Sequence, residues 1–323
     1  MVDLSYKSKQ RAGYSPLVSV IVPNYNYSRY LRLRMDSILS QTYDNYEIIL
    51  LDDNSTDDSV EVLKAYESNP KVSRILLNDR NSGSPFIQWE KGIKASLGDI
   101  IWIAESDDVC SSSFLESLVV NFEDDDVSLA FCRSILIDSN GNRLRENHQM
   151  GGVDSPIKID GKQFIKQYLC YSNEVQNASC AIFRKSIAKQ IDKRYMNFSG
   201  AGDWLFWIEI SEKGKVCYLN RELNSYRLHN NTTSKVIKTG VEFREMKSIF
   251  EWLLDKKYMD YYQYLQCRYN NIRLIDSLKE IPSEVKSQLY NMWEVSFNEK
   301  LRLSLSVIKG MIISRIRCIL KLI

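Results

Sequence analysis

Short, nearly continuous apolar runs recur along the first third of the chain, at residues 17–22, 46–51, 72–77 and 100–104. Runs of this length without alternation are typical of strands buried on both faces of a parallel sheet. Segments with apolar residues at helical spacing separate the runs, so the pattern predicts four βα units. The loops that follow the strands are then expected at one edge of an open α/β sheet, where ligands of such sheets bind.

Beyond residue 121 the pattern changes to scattered strand-like pieces. Residues 127–132 and 180–184 are predicted strands, Asn140-Gly-Asn142 predicts a turn, and residues 215–219 and 223–229 predict the last two strands. From about Val241 onward the chain predicts helix only. We therefore expect an N-terminal tail (1–16), one α/β domain with a mostly parallel central sheet (17–235) and a helical C-terminal region (236–323).

Carboxylates stand where the predicted strands end. Glu105, Asp107 and Asp108 follow the fourth apolar run, and an acidic, turn-forming segment at 52–58 follows the second. Hard oxygen ligands at such a place can hold Mg²⁺ or Mn²⁺ on the phosphates of a substrate. The alternative is that Asp107 and Asp108 cap a helix predicted over residues 111–120.

Charge and composition exclude several classes of protein. The 323 residues carry 43 basic and 41 acidic side chains, so no overall field attracts nucleic acid. Seven cysteines without a Cys-x-x-Cys pair predict reduced thiols, and the first residues contain no apolar signal region. No stretch reaches the length of an apolar membrane span, so we expect a cytoplasmic protein.

Several segments taken together resemble the family 2 glycosyltransferases in content, order and spacing. They are residues 18–26, 40–43, 51–57 and 105–108, followed by Gly202-Asp-Trp204 and Tyr226-Arg-Leu-His229. The resemblance covers about residues 17–235. It implies a GT-A fold, a nucleotide-sugar donor of UDP or dTDP type, and transfer with inversion at the anomeric carbon.

The resemblance also implies where the nucleotide binds. It places Pro23 and Tyr25 against the nucleobase and Asp53 on the base edge, with Arg80 and Gly83 in a loop that contacts the nucleotide. An aromatic ring offers a stacking face, and a carboxylate accepts a hydrogen bond from a base N–H. Alternatively, Tyr25 is a rim aromatic and Asp53 belongs to a turn.

The acidic segment at 105–108 corresponds to the metal-binding DxD-like motif of the family. Asp108 is expected to contact the metal directly and Asp107 to bind the nucleotide sugar. Glu105 replaces the usual aspartate and is expected at the ribose or near the metal. Arg227 is expected to neutralise the leaving group, and His229 to contact the metal or the diphosphate.

Asp203 corresponds to the catalytic base of the family, with Gly202 where many members have glutamate. The alternative is an N-cap for a helix over residues 204–212. The expected reaction is metal-assisted direct displacement onto a hydroxyl of a glycan or lipid-linked acceptor in polysaccharide biosynthesis. Two other functions remain open: nucleotidyl transfer that makes a nucleotide sugar, and a non-catalytic nucleotide-sugar-binding scaffold.

The last 23 residues, 301–323, contain five basic and no acidic side chains. On a helix their apolar residues fall on one face and their cations on the other, which predicts an amphipathic helix on an anionic membrane surface. Such a helix would hold the protein at the inner face of the cell membrane. The alternative is that the apolar face packs on the helices from Val241 to Asn298 or on a second subunit of an oligomer.

Overall fold

The computed structural model describes residues 13–146, 156–228, 239–293 and 298. The chain falls into two units, Met1–Asn230 and Asn231–Ile323. The described part of the first unit is a mixed α/β structure, and that of the second is helical. The α/β fold class is therefore confirmed.

The elements follow the alternating order that the apolar pattern predicts. The strands are β1 (Val18–Asn24), β2 (Tyr46–Asp52), β3 (Val72–Leu77), β4 (Ile100–Ile103), β5 (Val109–Cys110), β6 (Val127–Ile137), β7 (Arg143–Glu146), β8 (Ile157–Asp160), β9 (Ala181–Arg184) and β10 (Lys215–Arg227). The helices are α1 (Ser28–Leu39), α2 (Ser59–Lys64), α3 (Pro85–Ala95), α4 (Phe114–Val119), α5 (Gly161–Phe164), α6 (Lys185–Ala188), α7 (Gly202–Glu212), α8 (Val241–Asp255), α9 (Tyr261–Ser277) and α10 (Ser283–Met292).

The strands form one sheet of order β3-β2-β1-β4-β9-β6-β10-β5, with β7 paired to β6 and β8 to β10. The first four strands of this order are parallel, and Val18 of β1 pairs with Tyr46 on one side and Ile100 on the other. Every residue of β1 and β2 is buried, as their unbroken apolar runs predict. Because β1 lies between β2 and β4, the loops after these strands diverge and leave a crevice at their carboxyl ends.

Pro23, which follows the apolar run at 17–22, lies inside the first strand rather than after it. β1 continues to Asn24, and Pro23 pairs with Leu51 of β2. Pairing with β4 ends at Ile21, so Pro23 lies where β1 has lost its second neighbour. A proline is tolerated there because no ladder on that side requires its missing N–H.

Two other predicted elements differ from the structure. The residues after Asp108 form β5, which pairs antiparallel with β10, and α4 begins only at Phe114, with Ser113 as its N-cap. Asp107 and Asp108 are therefore not helix caps. The two strands predicted at 215–219 and 223–229 are one strand, β10, whose ladder with β6 is irregular near Glu222.

The second unit consists, in its described part, of α8, α9 and α10. A capping box at Asp260 and Gln263 begins α9, and Phe250 of α8 packs edge-on against Trp293, with ring centroids 6.1 Å apart. None of the helices in the described ranges is long and apolar enough to cross a membrane. The predicted amphipathic tail, 301–323, lies outside the described residues. Six cysteines fall in the described part of the chain, and all are free.

Candidate active site

The loops after β1 and β2 are tied together by side-chain hydrogen bonds. Asn24 Nδ2 donates to Asp52 Oδ1 at 2.9 Å, and the backbone N–H of Thr56 donates to Asn26 Oδ1 at 2.7 Å. Asn26 has a φ of 58°, a left-handed conformation that asparagine tolerates. Tyr25 stands between these fixed residues with 45% of its surface exposed, so its ring is available for stacking on a base.

Asp53 is almost fully buried beneath the loop that follows β3. Its carboxylate accepts hydrogen bonds from Asn78 Nδ2, from both the backbone N–H and the hydroxyl of Ser82, and from Gln88 Nε2, at 2.5–2.9 Å. The structure thus gives Asp53 a task that sequence reasoning missed, because it holds the loop over residues 78–84 in place. Its role at the base edge stays a prediction.

Arg80 and Gly83 lie in this loop. Arg80 is exposed to solvent, and Gly83 has a φ of 79°, a conformation that glycine adopts without strain. The backbone N–H of Gly83 donates to Asn81 Oδ1 at 2.8 Å, which fixes the turn. The exposed guanidinium of Arg80, on a fixed turn, is compatible with a contact to nucleotide phosphates.

We call residues 105–108 the acidic loop. Trp89 Nε1 donates to Glu105 Oε1 at 2.9 Å, and Asp107 is partly exposed. Burial, followed by the charge of Asp107, raises the pKa of Glu105 from 4.5 to about 8. Burial and the charge of Asp107 also raise the pKa of Asp108. Burial thus disfavours the ionised form of both carboxyl groups, and a bound cation would favour that form.

Asp108 is the buried member of the acidic loop, with 1% of its surface exposed. Its Oδ1 accepts from the backbone N–H of Arg227 at 2.9 Å, and its Oδ2 accepts from Asn177 Nδ2. Asp108 therefore links the acidic loop to β10 and to the segment before β9. Of the two aspartates, Asp107 is the more accessible to a ligand.

Arg34, on α1, is fully buried and lies near the acidic loop. Arg34 Nη2 donates to Ser179 Oγ at 3.2 Å. Its positive charge opposes the effect of burial and lowers the pKa of both Glu105 and Asp108, although both pKa values stay raised. The Nε and Nη1 groups of Arg34 have no hydrogen-bond partner. Sequence reasoning missed Arg34, although it shares the helical spacing of the apolar residues at 31, 35 and 38.

Arg227 is 4% exposed, and its guanidinium contacts two backbone carbonyl groups and an aromatic ring. Its Nε donates to the carbonyl oxygen of Asp107 at 2.6 Å, and its Nη1 donates to that of Asp138 at 2.9 Å. The guanidinium carbon lies 4.6 Å from the centroid of the Tyr30 ring. In this arrangement Arg227 fixes the backbone of the acidic loop, so a direct contact with a leaving group requires it to move. His229 lies outside the described residues.

Asp203 lies in the first turn of α7, whose N-cap is Ala201, so it is not the N-cap. Its Oδ1 accepts from the N–H of Trp204 at 2.7 Å, and its Oδ2 from Asn173 Nδ2 at 2.9 Å. Glycine precedes it for a steric reason. A Cβ atom on Gly202 would lie 2.5 Å from Phe86 Cε2, so the glutamate common in the family has no room here.

Asp203 and the acidic loop are linked through one short segment, because Asn173 Nδ2 donates to Asp203 Oδ2 and Asn177 Nδ2 donates to Asp108 Oδ2. Burial raises the pKa of the Tyr226 phenol on β10, and the charges of Asp108, Asp107, Asp203 and Glu105 raise it further. The roles expected of these carboxylates stay predictions.

The donor set of the acidic loop fits Mg²⁺ or Mn²⁺. Within the described ranges, no three His, Cys, Asp or Glu side chains converge on a single metal position. A convergent triad is not required, because Mg²⁺ in phosphate-binding sites is usually held by one or two carboxylates together with the phosphates of the substrate.

Comparison with known proteins agrees with this geometry. The family Glycosyl transferase family 2 matches residues 19–192. An uncharacterised glycosyltransferase of Haemophilus influenzae is 29% identical over 227 residues, which cover 68% of each chain. The putative teichuronic acid biosynthesis glycosyltransferase TuaG of Bacillus subtilis is 25% identical over 245 residues, covering 73% of this chain and 91% of TuaG.

Solved structures share the fold at lower identity. Residues 1–349 of TarS from S. aureus, in complex with UDP-GlcNAc, superpose with a TM-score of 0.55 at 17% identity, covering 83% of this chain and 82% of that one. The mannosyltransferase PcManGT of Pyrobaculum calidifontis, with GDP-Man and Mn²⁺, gives 0.56 at 13% identity, covering 95% and 84%. These likenesses confirm the GT-A fold. The chain belongs to glycosyltransferase family 2 and is a glycosyltransferase.

Proposed function

We propose that the protein transfers a sugar, with inversion, from a nucleotide-diphosphate sugar to a hydroxyl of a glycan or lipid-linked acceptor. The observation that carries this proposal is that one short segment donates hydrogen bonds both to Asp203, through Asn173, and to Asp108, through Asn177. An inverting transfer needs a base on one side of the anomeric carbon and a stabilised leaving diphosphate on the other. The two groups of carboxylates supply these functions.

Asp107 is the better candidate for direct contact with Mg²⁺ or Mn²⁺, with Asp108 in support. The sequence motif predicts direct metal contact by Asp108. Both carboxylate oxygens of Asp108, however, already accept hydrogen bonds, from Arg227 and Asn177, whereas Asp107 is partly exposed. A bound divalent ion supplies positive charge to the diphosphate as it leaves. Arg227 and Arg34 hold the acidic loop in shape.

The other residues bind the donor and accept the proton. Tyr25 stacks on the nucleobase beside Pro23, and the loop held by Asp53 brings Arg80 and Gly83 to the nucleotide. Glu105, fixed by Trp89, lies at the ribose side of the acidic loop. Asp203 accepts the proton of the acceptor hydroxyl as its oxygen attacks the anomeric carbon, which is general base catalysis.

Relatives and neighbours support the choice of substrate class. TuaG is named for teichuronic acid biosynthesis, which favours a polysaccharide acceptor for this chain as well. TarS was solved with UDP-GlcNAc and PcManGT with GDP-Man and Mn²⁺. We favour a donor of UDP or dTDP type, and an enzyme at the inner face of the cell membrane, where lipid-linked acceptors are made.

The test is a screen of UDP-, dTDP- and GDP-sugars with Mn²⁺ or Mg²⁺, first by thermal shift and then by release of nucleoside diphosphate. A donor that binds the folded state raises the melting temperature. Slow release without acceptor, and faster release with a glycan acceptor, are expected. Pyrophosphate release from a sugar 1-phosphate plus an NTP would instead identify a nucleotidyltransferase, and binding without any turnover would identify a scaffold.

A further inference from the structure

One extended segment touches both halves of the proposed site. Residues 173–179, here called the strap, follow the π-helical turn Ile165–Leu169 and lead into β9. Three side chains of the strap contact the proposed site. Asn173 Nδ2 donates to Asp203 Oδ2 at 2.9 Å, Asn177 Nδ2 donates to Asp108 Oδ2, and Ser179 Oγ accepts from the N–H of Glu105 at 3.0 Å.

The strap is fixed to the core between these contacts. Val175, which lies between the two asparagines, is fully buried. Asn177 Oδ1 accepts from Asn224 Nδ2 of β10 at 3.1 Å, and the carbonyl oxygen of Ser179 accepts from Trp102 Nε1 of β4 at 2.9 Å. The two ends of the strap are therefore held at a fixed separation by the core between them.

The Asn173 amide is only partly satisfied. Among the residues that the structure describes, its buried Oδ1 has no hydrogen-bond partner, and an unsatisfied buried carbonyl destabilises a fold. Such groups in native structures require an explanation, and a functional contact is one. The Nδ2 group of the same amide donates to the proposed base, Asp203.

We propose that the strap is a positioning element that sets the distance and orientation between the base and the acidic loop. The proposal rests on the proposed function, because it takes Asp203 as the base. Direct displacement requires the attacking oxygen and the leaving group to lie in line about the anomeric carbon, and small errors in such geometry are costly in rate. The strap meets that requirement, because its Asn173 amide contacts Asp203 and its Asn177 amide contacts Asp108.

The Asn173 end is tested by Asn173→Ala and Asn173→Asp, with Gln176→Ala in the same strap as the control. We expect kcat for transfer to fall about 10- to 100-fold in Asn173→Ala, while KM for the donor stays unchanged. Asn173→Asp should be worse than Asn173→Ala, because its carboxylate repels Asp203. A packing role predicts the opposite order, since aspartate preserves the shape of asparagine.

The Asn177 end is tested by a binding measurement that needs no turnover. Asn177→Leu and the milder Asn177→Ser should weaken the calorimetric affinity for UDP plus Mn²⁺ about 10- to 100-fold, the usual effect of removing a group that orients a metal ligand. Asn173→Ala should leave that affinity unchanged. Circular dichroism checks that each variant is folded. If Asn177→Leu does not fold, Asn177→Ser replaces it in the binding measurement.

A double variant decides whether Asn173 acts through Asp203. In an Asp203→Asn background, adding Asn173→Ala should cause no further loss of kcat. An equal loss in both backgrounds, or equal effects of Asn173 and Asn177 variants on UDP affinity, would overturn the strap proposal. If the wild-type protein transfers no sugar but its UDP affinity depends on Asn177 and not on Asn173, the proposed function fails and the donor half of the strap proposal stands.

Discussion

The guanidinium carbon of Arg34 lies 4.8 Å from the centroid of the Trp102 ring, with Arg34 wholly buried. Trp102 is on β4, shortly before the acidic loop, and the charge of Arg34 acts on two carboxylates of that loop, Glu105 and Asp108. Arg34→Met should destabilise the metal-free protein by about 3 kcal/mol, the usual cost of removing one partner from a buried charge network. Thermal unfolding measures the loss.

A matched control for Arg34 is available on the same helix. Arg32 is exposed on α1, so Arg32→Met should change stability by less than about 0.5 kcal/mol. Saturating Mn²⁺ plus UDP should reduce the cost of Arg34→Met, because the bound cation compensates the same carboxylates. An identical cost with and without ligand would mean that Arg34 serves only the core.

Glu105 makes stability depend on pH. Burial and the charge of Asp107 raise its pKa from 4.5 to about 8 in the folded protein. The protonated form is therefore favoured by folding, and the stability it contributes is present below pH 4.5 and lost as pH rises through about 8. In chelator, Glu105→Gln should be more stable than wild type at pH 8 by about 1–3 kcal/mol, and equal to it near pH 4.

The control for this pH dependence is Glu67→Gln, at an exposed glutamate after α2. Its unfolding free energy should follow the wild-type curve at every pH. Parallel curves for wild type and Glu105→Gln would show instead that Glu105 is ionised in the folded protein throughout this range.

We expect Asp107 and Asp108 of the acidic loop to have different roles. Asp107→Asn should weaken Mn²⁺ binding in the presence of UDP at least about tenfold, with an unchanged melting temperature. Asp108→Asn should also lower the melting temperature, because its new amide opposes the N–H donors of Arg227 or Asn177, and an unsatisfied buried donor costs about 1–3 kcal/mol. The reverse pattern would return the direct metal contact to Asp108.

Asp203→Asn should abolish chemistry and spare donor binding. The expected loss in transfer is about 10²–10⁴-fold, the range for a general base, with an unchanged affinity for the nucleotide sugar. Calorimetry with the donor and a coupled assay for released nucleoside diphosphate measure the two effects separately. A collapse of donor affinity would place Asp203 in the nucleotide site instead.

The tail over residues 301–323 should carry any membrane affinity. Each of its five Lys and Arg side chains contributes on the order of 1 kcal/mol near an anionic surface. The whole chain should sediment with anionic liposomes at low salt and not at high salt, and a chain ending at Lys300 should stay in the supernatant. Equal behaviour of both chains would assign the tail to the fold or to an oligomer interface.

The strand ends were predictable from sequence because a buried strand and the charges that follow it are local features. The apolar run before Glu105 and the carboxylates after it identified the acidic loop without any tertiary information. Asp203 came from the family resemblance. That Asp203 lies near the acidic loop depends on the path of β10, and no local sequence pattern encodes that path.

The residues that the sequence did not predict are polar residues that position other side chains. Asn173, Asn177 and Ser179 lie in a segment whose sequence has no helical or strand periodicity, so no local pattern marks them. Arg34 was detectable as a cation on an apolar helix face, but its partners are distant in sequence. Asp53 was assigned by analogy, whereas three of its four donors come from the loop at 78–84, whose conformation the sequence does not dictate, and the fourth is Gln88 of α3.

The close approach of Gly202 to Phe86 also constrains how this site can change during evolution. A side chain at 202 meets the Phe86 ring at 2.5 Å and the carbonyl oxygen of Tyr195 at 2.6 Å. A glutamate beside the base can therefore be acquired only after residue 86 becomes smaller and the backbone near 195 moves. The order of substitutions is fixed, so among descendants of this chain the identity of residue 202 should covary with that of residue 86.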